Sequence, residues 1–100
     1  MALSNYFRVQ RAFCFQQDRD EKAASALYNS VLKTKPSDIG LIAVASNNIC
    51  CIQKDQAIFD SRKKMKTATS DGLEGKLTTR QRKLIALNNC LLSFYSNQVY

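Results

Sequence analysis

The sequence predicts an all-α fold, an open-ended solenoid of antiparallel helix hairpins with about five helices, and three observations predict it. Apolar residues recur at steps of three, four, seven and eight: in KAASALYNSVLK, Ala24, Leu27, Tyr28, Val31 and Leu32 make one stripe. Punctuation is sparse, since three glycines and one proline in 100 residues supply too little turn chemistry for a β-sandwich. The proline, Pro36, falls between two such stripes, the second carried by Ile42, Ala45, Ile49 and Ile52, so residues 22–52 read as helix, turn, helix.

The first helix, about 3–17, is rich in large apolar groups (Leu3, Tyr6, Phe7, Val9, Phe13, Phe15) with Arg8 and Arg11 interleaved. In QQDRDE, Asp18 caps the next helix while Glu21, three residues on, reaches back as in a capping box. That helix covers about 20–34, with Lys33 and Lys35 at its negative end and Pro36 stopping it. Ser37 or Asp38 caps the third helix, about 38–53. QAIFDSRKKMK sets Ile58, Arg62 and Met65 on one side with Phe59 nearby, a short basic fourth helix at about 57–66. Residues 67–77 hold two of the three glycines and read as a mobile loop. Thr78 and Gln81 repeat the capping-box spacing and open a last helix, about 78–97, striped by Leu84, Leu87, Leu91 and Phe94.

A chain of this length is one domain or less, with a modest core and no room for a large catalytic cleft. The longest apolar stretch, Ile39 to Ala45, falls far short of the ~20 residues a bilayer crossing needs, so no membrane insertion is expected. MALSNYFRVQR lacks the pattern of a secretory leader, which makes a cytoplasmic location the expectation. Cys14, Cys50, Cys51 and Cys90 have no C-x-x-C spacing and there is no histidine, so no metal or other cofactor is expected; the thiols read as small buried or half-buried apolar groups. Without histidine, a G-x-S-x-G turn, a phosphate-cradling glycine loop or paired carboxylates on one helix face, the chain does not read as an enzyme. The net charge of +7 divides as +2 over residues 1–50 and +5 over 51–100, favouring acidic protein or RNA partners.

An internal period is also present. Ala24, Tyr28 and Pro36 match the end of the tetratricopeptide pattern, A-x3-F then Pro, and a unit of 34 residues closed by Pro36 puts Ala12 and Phe15 at its small and tyrosine positions. Arg8 and Arg11 depart from the Trp and Leu of that pattern. One period on, Ser46 and Ile49 take the small and aromatic positions and Ser70 the closing one. A second echo links IAVASNNIC, residues 42–50, to IALNNC, residues 85–90, with the Asn pairs 41 apart; an alternative alignment shifts the third unit by four residues. The helices then read as two hairpins and the first helix of a third, a piece of a longer array or a short product that needs a partner.

DIGLIAVASNNI (38–49), KDQAIFDSRKKMK (54–66), GLEGKLTTRQ and LLSFYSNQ, with ALYNSVLKTKPSD upstream, resemble the tetratricopeptide-repeat subunit family of the eukaryotic signal recognition particle over about residues 20–98. The resemblance implies a cytoplasmic ribonucleoprotein subunit that holds the particle's 68-kDa subunit in its repeat groove and supports cotranslational targeting to the endoplasmic reticulum, in association with ribosomes and the reticulum surface. In that family RNA is contacted mainly by a lysine-rich region beyond the repeats, absent from residues 1–100, so particle RNA is expected to be reached indirectly or weakly.

In such an array the first helix of each hairpin lines the concave groove. The Pro36 register assigns Tyr6, Val9, Phe13 and Gln16, then Ala43, Asn47 and Cys50, then Asn88, Leu92 and Tyr95 to that face, with Asn47 and Asn88 either touching a partner peptide or bonding within the array. Arg62, Lys63, Lys64 and Lys66, with Arg80, Arg82 and Lys83, are candidates for one basic patch facing RNA or an acidic partner; no aromatic is interleaved in these runs, which weighs against single-stranded RNA. Two other readings stand beside this one: an adaptor for chaperone tails, disfavoured because Val9 and Phe13 hold the places where such adaptors carry Lys and Asn, and a small basic RNA-binding protein. Self-association through the open repeat ends is a further expectation.

Overall fold

The computed structural model describes the backbone of residues 2–70, 72–73 and 75–97 and the side chains of those from 4 to 95; the expected contribution of Leu3, and Asp71 and Glu74 of the expected loop, lie outside the described residues. Every described regular element is helical: α1 (Ala2–Gln17), α2 (Glu21–Lys33), α3 (Ile39–Gln53), α4 (Ile58–Ala68) and α5 (Thr79–Asn97). The all-α, five-helix expectation holds. α1 pairs with α2 and α3 with α4; α2 packs on α3, α4 on α5, and α3 touches both α1 and α5. This is the tetratricopeptide arrangement, with alternate helices α1, α3 and α5 along one side and α2 and α4 backing them.

Side-chain caps place the helix starts. Asp20, not Asp18, caps α2, its Oδ1 accepting from Ala23 N at 3.2 Å. The chain turns first through Arg19, whose φ of 64° lies in the left-handed region, and this delays the entry to α2 by two residues. Asp38 caps α3, its Oδ1 accepting from Gly40 N at 2.9 Å and Leu41 N at 3.3 Å, while its Oδ2 accepts from the Tyr6 hydroxyl of α1. Thr78 and Gln81 form the reciprocal capping box of α5, with Thr78 N donating to Gln81 Oε1 at 2.8 Å and Gln81 N to Thr78 Oγ1 at 3.1 Å.

The Tyr6 hydroxyl, helped by the α3 amides and Lys76, holds the Asp38 carboxyl below its ordinary pKa. A folded-state value below the unfolded one means that this contribution is present above the unfolded pKa and is lost as acid takes the pH down through the folded one. Asp38→Ala is expected to cost about 1 kcal/mol and Asp38→Asn less, read from urea melts at neutral pH. The Asp38→Ala deficit should narrow on acidification.

The core is double. Val9, Ala12, Ala24, Tyr28, Val31, Leu41, Ala45 and Ile49 bury between α1, α2 and α3; Ala43, Cys50, Met65, Ala68, Leu73, Ile85 and Leu92 bury between α3, α4, the following turn and α5. α3 serves both, so it is buried around most of its circumference and not along one stripe. Leu73 anchors the connection after α4, and α4 itself runs to Ala68, into the expected loop.

The buried faces of α1, α4 and α5 take only part of their apolar residues. In α1 the buried positions are Asn5, Val9 and Ala12, while Tyr6, Phe7 and Phe13 are exposed; Asn5 is accommodated because its Nδ2 donates to Thr34 Oγ1 at 3.0 Å. In α4 the buried line is Ser61, Met65 and Ala68, and Arg62 faces out. In α5 Ile85 and Leu92 pack inward, whereas Leu84, Leu87, Leu91 and Phe94 stand 41–59% exposed as one open apolar stripe. The cysteines likewise divide: only Cys50 is buried, its Sγ donating to Ser61 O at 3.3 Å, and all four are free thiols. No described helix is long and apolar enough to cross a membrane.

Candidate functional site: a groove between alternate helices

α1, α3 and α5 enclose a groove of about 580 Å³. α1 contributes Val9, Gln10, Phe13 and Cys14; α3 contributes Val44, Asn47 and Asn48; α5 contributes Arg80, Gln81, Leu84 and Ile85. Val9 and Ile85 are buried in its floor, while Phe13 and Leu84, each 45% exposed, offer large apolar surface. Arg80 supplies the one charge of this lining, on the first turn of α5 that the Thr78–Gln81 box sets in place. An apolar floor with amides and one cation suits a peptide or helix that brings apolar side chains and an acidic group.

A directed run of hydrogen bonds ties the groove walls together. Asn88 Nδ2 donates to Asn47 Oδ1 at 3.0 Å, Asn47 Nδ2 to Asn48 Oδ1 at 3.4 Å, Asn48 Nδ2 to the Tyr28 hydroxyl at 3.1 Å, and that hydroxyl to Gln16 Oε1 at 2.8 Å. The run passes from α5 through α3 and α2 to α1, and every link donates the same way, so neighbouring bonds polarise one another. Asn47 is 5% exposed and Tyr28 fully buried, and without these partners their polar atoms would be stranded.

Of the residues assigned to the groove from sequence, Val9, Phe13 and Asn47 line it. Asn88, Leu92, Tyr95 and Cys50 come together in a separate hollow of about 140 Å³ with Cys51, Lys54 and Leu91. Burial pushes the Cys50 thiol pKa up, so it is no ready nucleophile. Gln16 is engaged by Tyr28, Tyr6 by Asp38, and Ala43 is fully buried in the second core. Gln10, Cys14, Val44, Asn48, Arg80, Gln81, Leu84 and Ile85 were not in the sequence-derived set. A signal for them existed: Gln10, Phe13 and Cys14 advance by 34 to Val44, Asn47 and Asn48, and these advance by 37, the alternative third-unit alignment, to Gln81, Leu84 and Ile85. The 41-residue echo marks the Asn47–Asn88 hydrogen bond instead.

The seven candidate cations do not share one surface. Arg62, Lys63 and Lys66 line a cleft of about 720 Å³ between α4 and α5, Arg82 lines a hollow beside Leu73, and Arg80 lines the groove. Lys64 Nζ is held at 3.0 Å by Asp60, whose Oδ2 also accepts from Gln53 Nε2 at 3.0 Å; Lys83 is exposed. Successive residues on a helix diverge by about 100°, so Arg82 lies on the opposite side of α5 from Arg80, while Lys83, three residues on, stays on the Arg80 side. The same rotation brings Phe59 onto the Arg62–Lys63 face, with Lys63 Nζ 5.0 Å from its ring centroid, so an aromatic does accompany these cations.

No family model matches the chain. Over 92 residues, 92% of its length, it is 49% identical to signal recognition particle subunit SRP72 of Schistosoma mansoni. It is 45% identical over 89 residues to SRP72 of Homo sapiens and 37% identical over 91 to that of Caenorhabditis elegans. The chain spans 13–14% of the length of these curated relatives. The resemblance carried by residues 38–66 therefore extends over nine-tenths of the chain, which is similar to a segment of a signal recognition particle subunit.

Proposed function

We propose that this chain, a relative of an SRP72 segment, is a non-catalytic protein-interaction part of the signal recognition particle. It works in the cytoplasm, binds the 68-kDa subunit through the α1–α3–α5 groove, and supports cotranslational targeting at the ribosome and the endoplasmic reticulum. The observation that carries this reading is the groove itself, apolar at Phe13 and Leu84 and cationic at Arg80, on the side where a tetratricopeptide array meets its ligands. The identity to SRP72 supports the choice of particle.

Titration calorimetry of the 100-residue chain with the 68-kDa subunit tests it. Phe13→Glu is expected to weaken binding about tenfold or more, as loss of an aromatic anchor does, with little change in melting temperature because the side chain is 45% exposed. Unchanged affinity in that variant would remove the groove from the interface. Absence of binding by the parent chain, where a longer array binds, would leave it a scaffold.

A further inference from the structure

Phe59, Arg62, Lys63 and Lys66 stand at i, i+3, i+4 and i+7 on α4, one face of the helix. That face is a wall of the 720 Å³ cleft, and Asn89 and Leu92 of α5 form the other. Phe59 is 76% exposed, the most exposed large apolar side chain among the described residues, so it contributes little to the core. Lys63 Nζ sits 5.0 Å from its centroid and most of the ring meets solvent. An open ring, three cations within two turns and an amide across a cleft make a stacking platform with phosphate contacts beside it.

We infer that the α4–α5 cleft binds single-stranded nucleic acid. An unpaired base stacks on Phe59, flanking phosphates meet Arg62, Lys63 and Lys66, and the Asn89 amide faces the base edge. An acidic peptide would satisfy the cations, but three cations beside a flat ring that is 76% exposed match the alternation of phosphate and planar base, which is why the nucleic acid is the better occupant. The excess charge of residues 51–100, +5, attracts it from a distance. The site is separate from the α1–α3–α5 groove, and its test does not depend on the 68-kDa subunit.

The probe is a fluorescein-labelled oligouridylate decamer, followed by anisotropy against the full chain. Three phosphate contacts predict that log affinity falls with log salt at a slope of about −2. Phe59→Ala is expected to weaken binding about tenfold and Phe59→Tyr to restore it. Lys63→Ala with Lys66→Ala should flatten the slope to about −0.7, while Lys22→Ala, exposed on α2, should leave it unchanged. Circular dichroism verifies the fold; should Phe59→Ala lose helicity, Phe59→Tyr and the lysine pair decide alone. Decamer affinity indifferent to Phe59, binding of an oligoglutamate decamer but not of the RNA, or binding of neither would each overturn the assignment.

Discussion

Tyr28→Ala is expected to cost about 3–5 kcal/mol, a large share of the roughly 5–15 kcal/mol that holds a domain folded. Tyr28 is the largest fully buried side chain among the described residues, packed where α1, α2 and α3 meet. Removing the ring leaves a cavity, and it also strands Gln16 Oε1 and Asn48 Nδ2, which the hydroxyl joins at 2.8 and 3.1 Å. Tyr28→Phe separates the two effects: it keeps the ring and is expected to cost about 1–2 kcal/mol for the unpaired amides. Urea melts followed by circular dichroism give both values. A loss in Tyr28→Phe as large as in Tyr28→Ala would place the stabilisation in the hydroxyl and not in the packing.

The same side chain confers an alkaline limit. Burial pushes the Tyr28 phenol from 10.0 up to about 12, with the Asn48 bond opposing. The folded value exceeds the unfolded one, so the contribution is whole below pH 10 and is lost as the pH rises towards 12. The stability advantage of the parent over Tyr28→Phe should therefore shrink across that window. An advantage constant through it would contradict the burial argument.

Gly40→Val is the second large effect, about 3 kcal/mol by overpacking. Gly40 lies in the first turn of α3, and a Cβ built there falls 2.8 Å from the Lys76 carbonyl oxygen and 3.2 Å from Asp38 Oδ1. The nearer atom is backbone, so the chain leading into α5 must move. α5 is held to α3 by the second core and by the Asn47–Asn88 bond, and both loosen when that connection is pushed away. Amide exchange should accelerate in α5 and α4 while α1 and α2 stay protected. Uniform acceleration would mean that the two cores unfold as one.

The features legible in the sequence are those that neighbouring residues settle among themselves. Ala24, Tyr28 and Val31 alternate at helical spacing and are the residues α2 buries. Thr78 and Gln81 are three apart, the separation at which each side chain reaches the other's amide. The 34-residue period carried Phe13 onto Asn47, neighbours across the groove. On α5 the same reasoning marked Leu84, Leu87, Leu91 and Phe94 as the apolar stripe, and these are the open side. Periodicity identifies an apolar face without saying whether anything covers it.

The sequence alone therefore determined that this chain is helical, where most of its helices begin, and that it repeats, because stripes, caps and period depend on residues within a few turns of one another. Only the tertiary structure decided which faces meet. It buried α3 on both sides, drew Asn47 and Asn88 into a hydrogen-bonded run through four helices, and parted Arg80 from Arg62. Each of these outcomes depends on the angle at which one helix crosses another. That angle is set by the summed fit of many side chains, and no single stretch of sequence contains it.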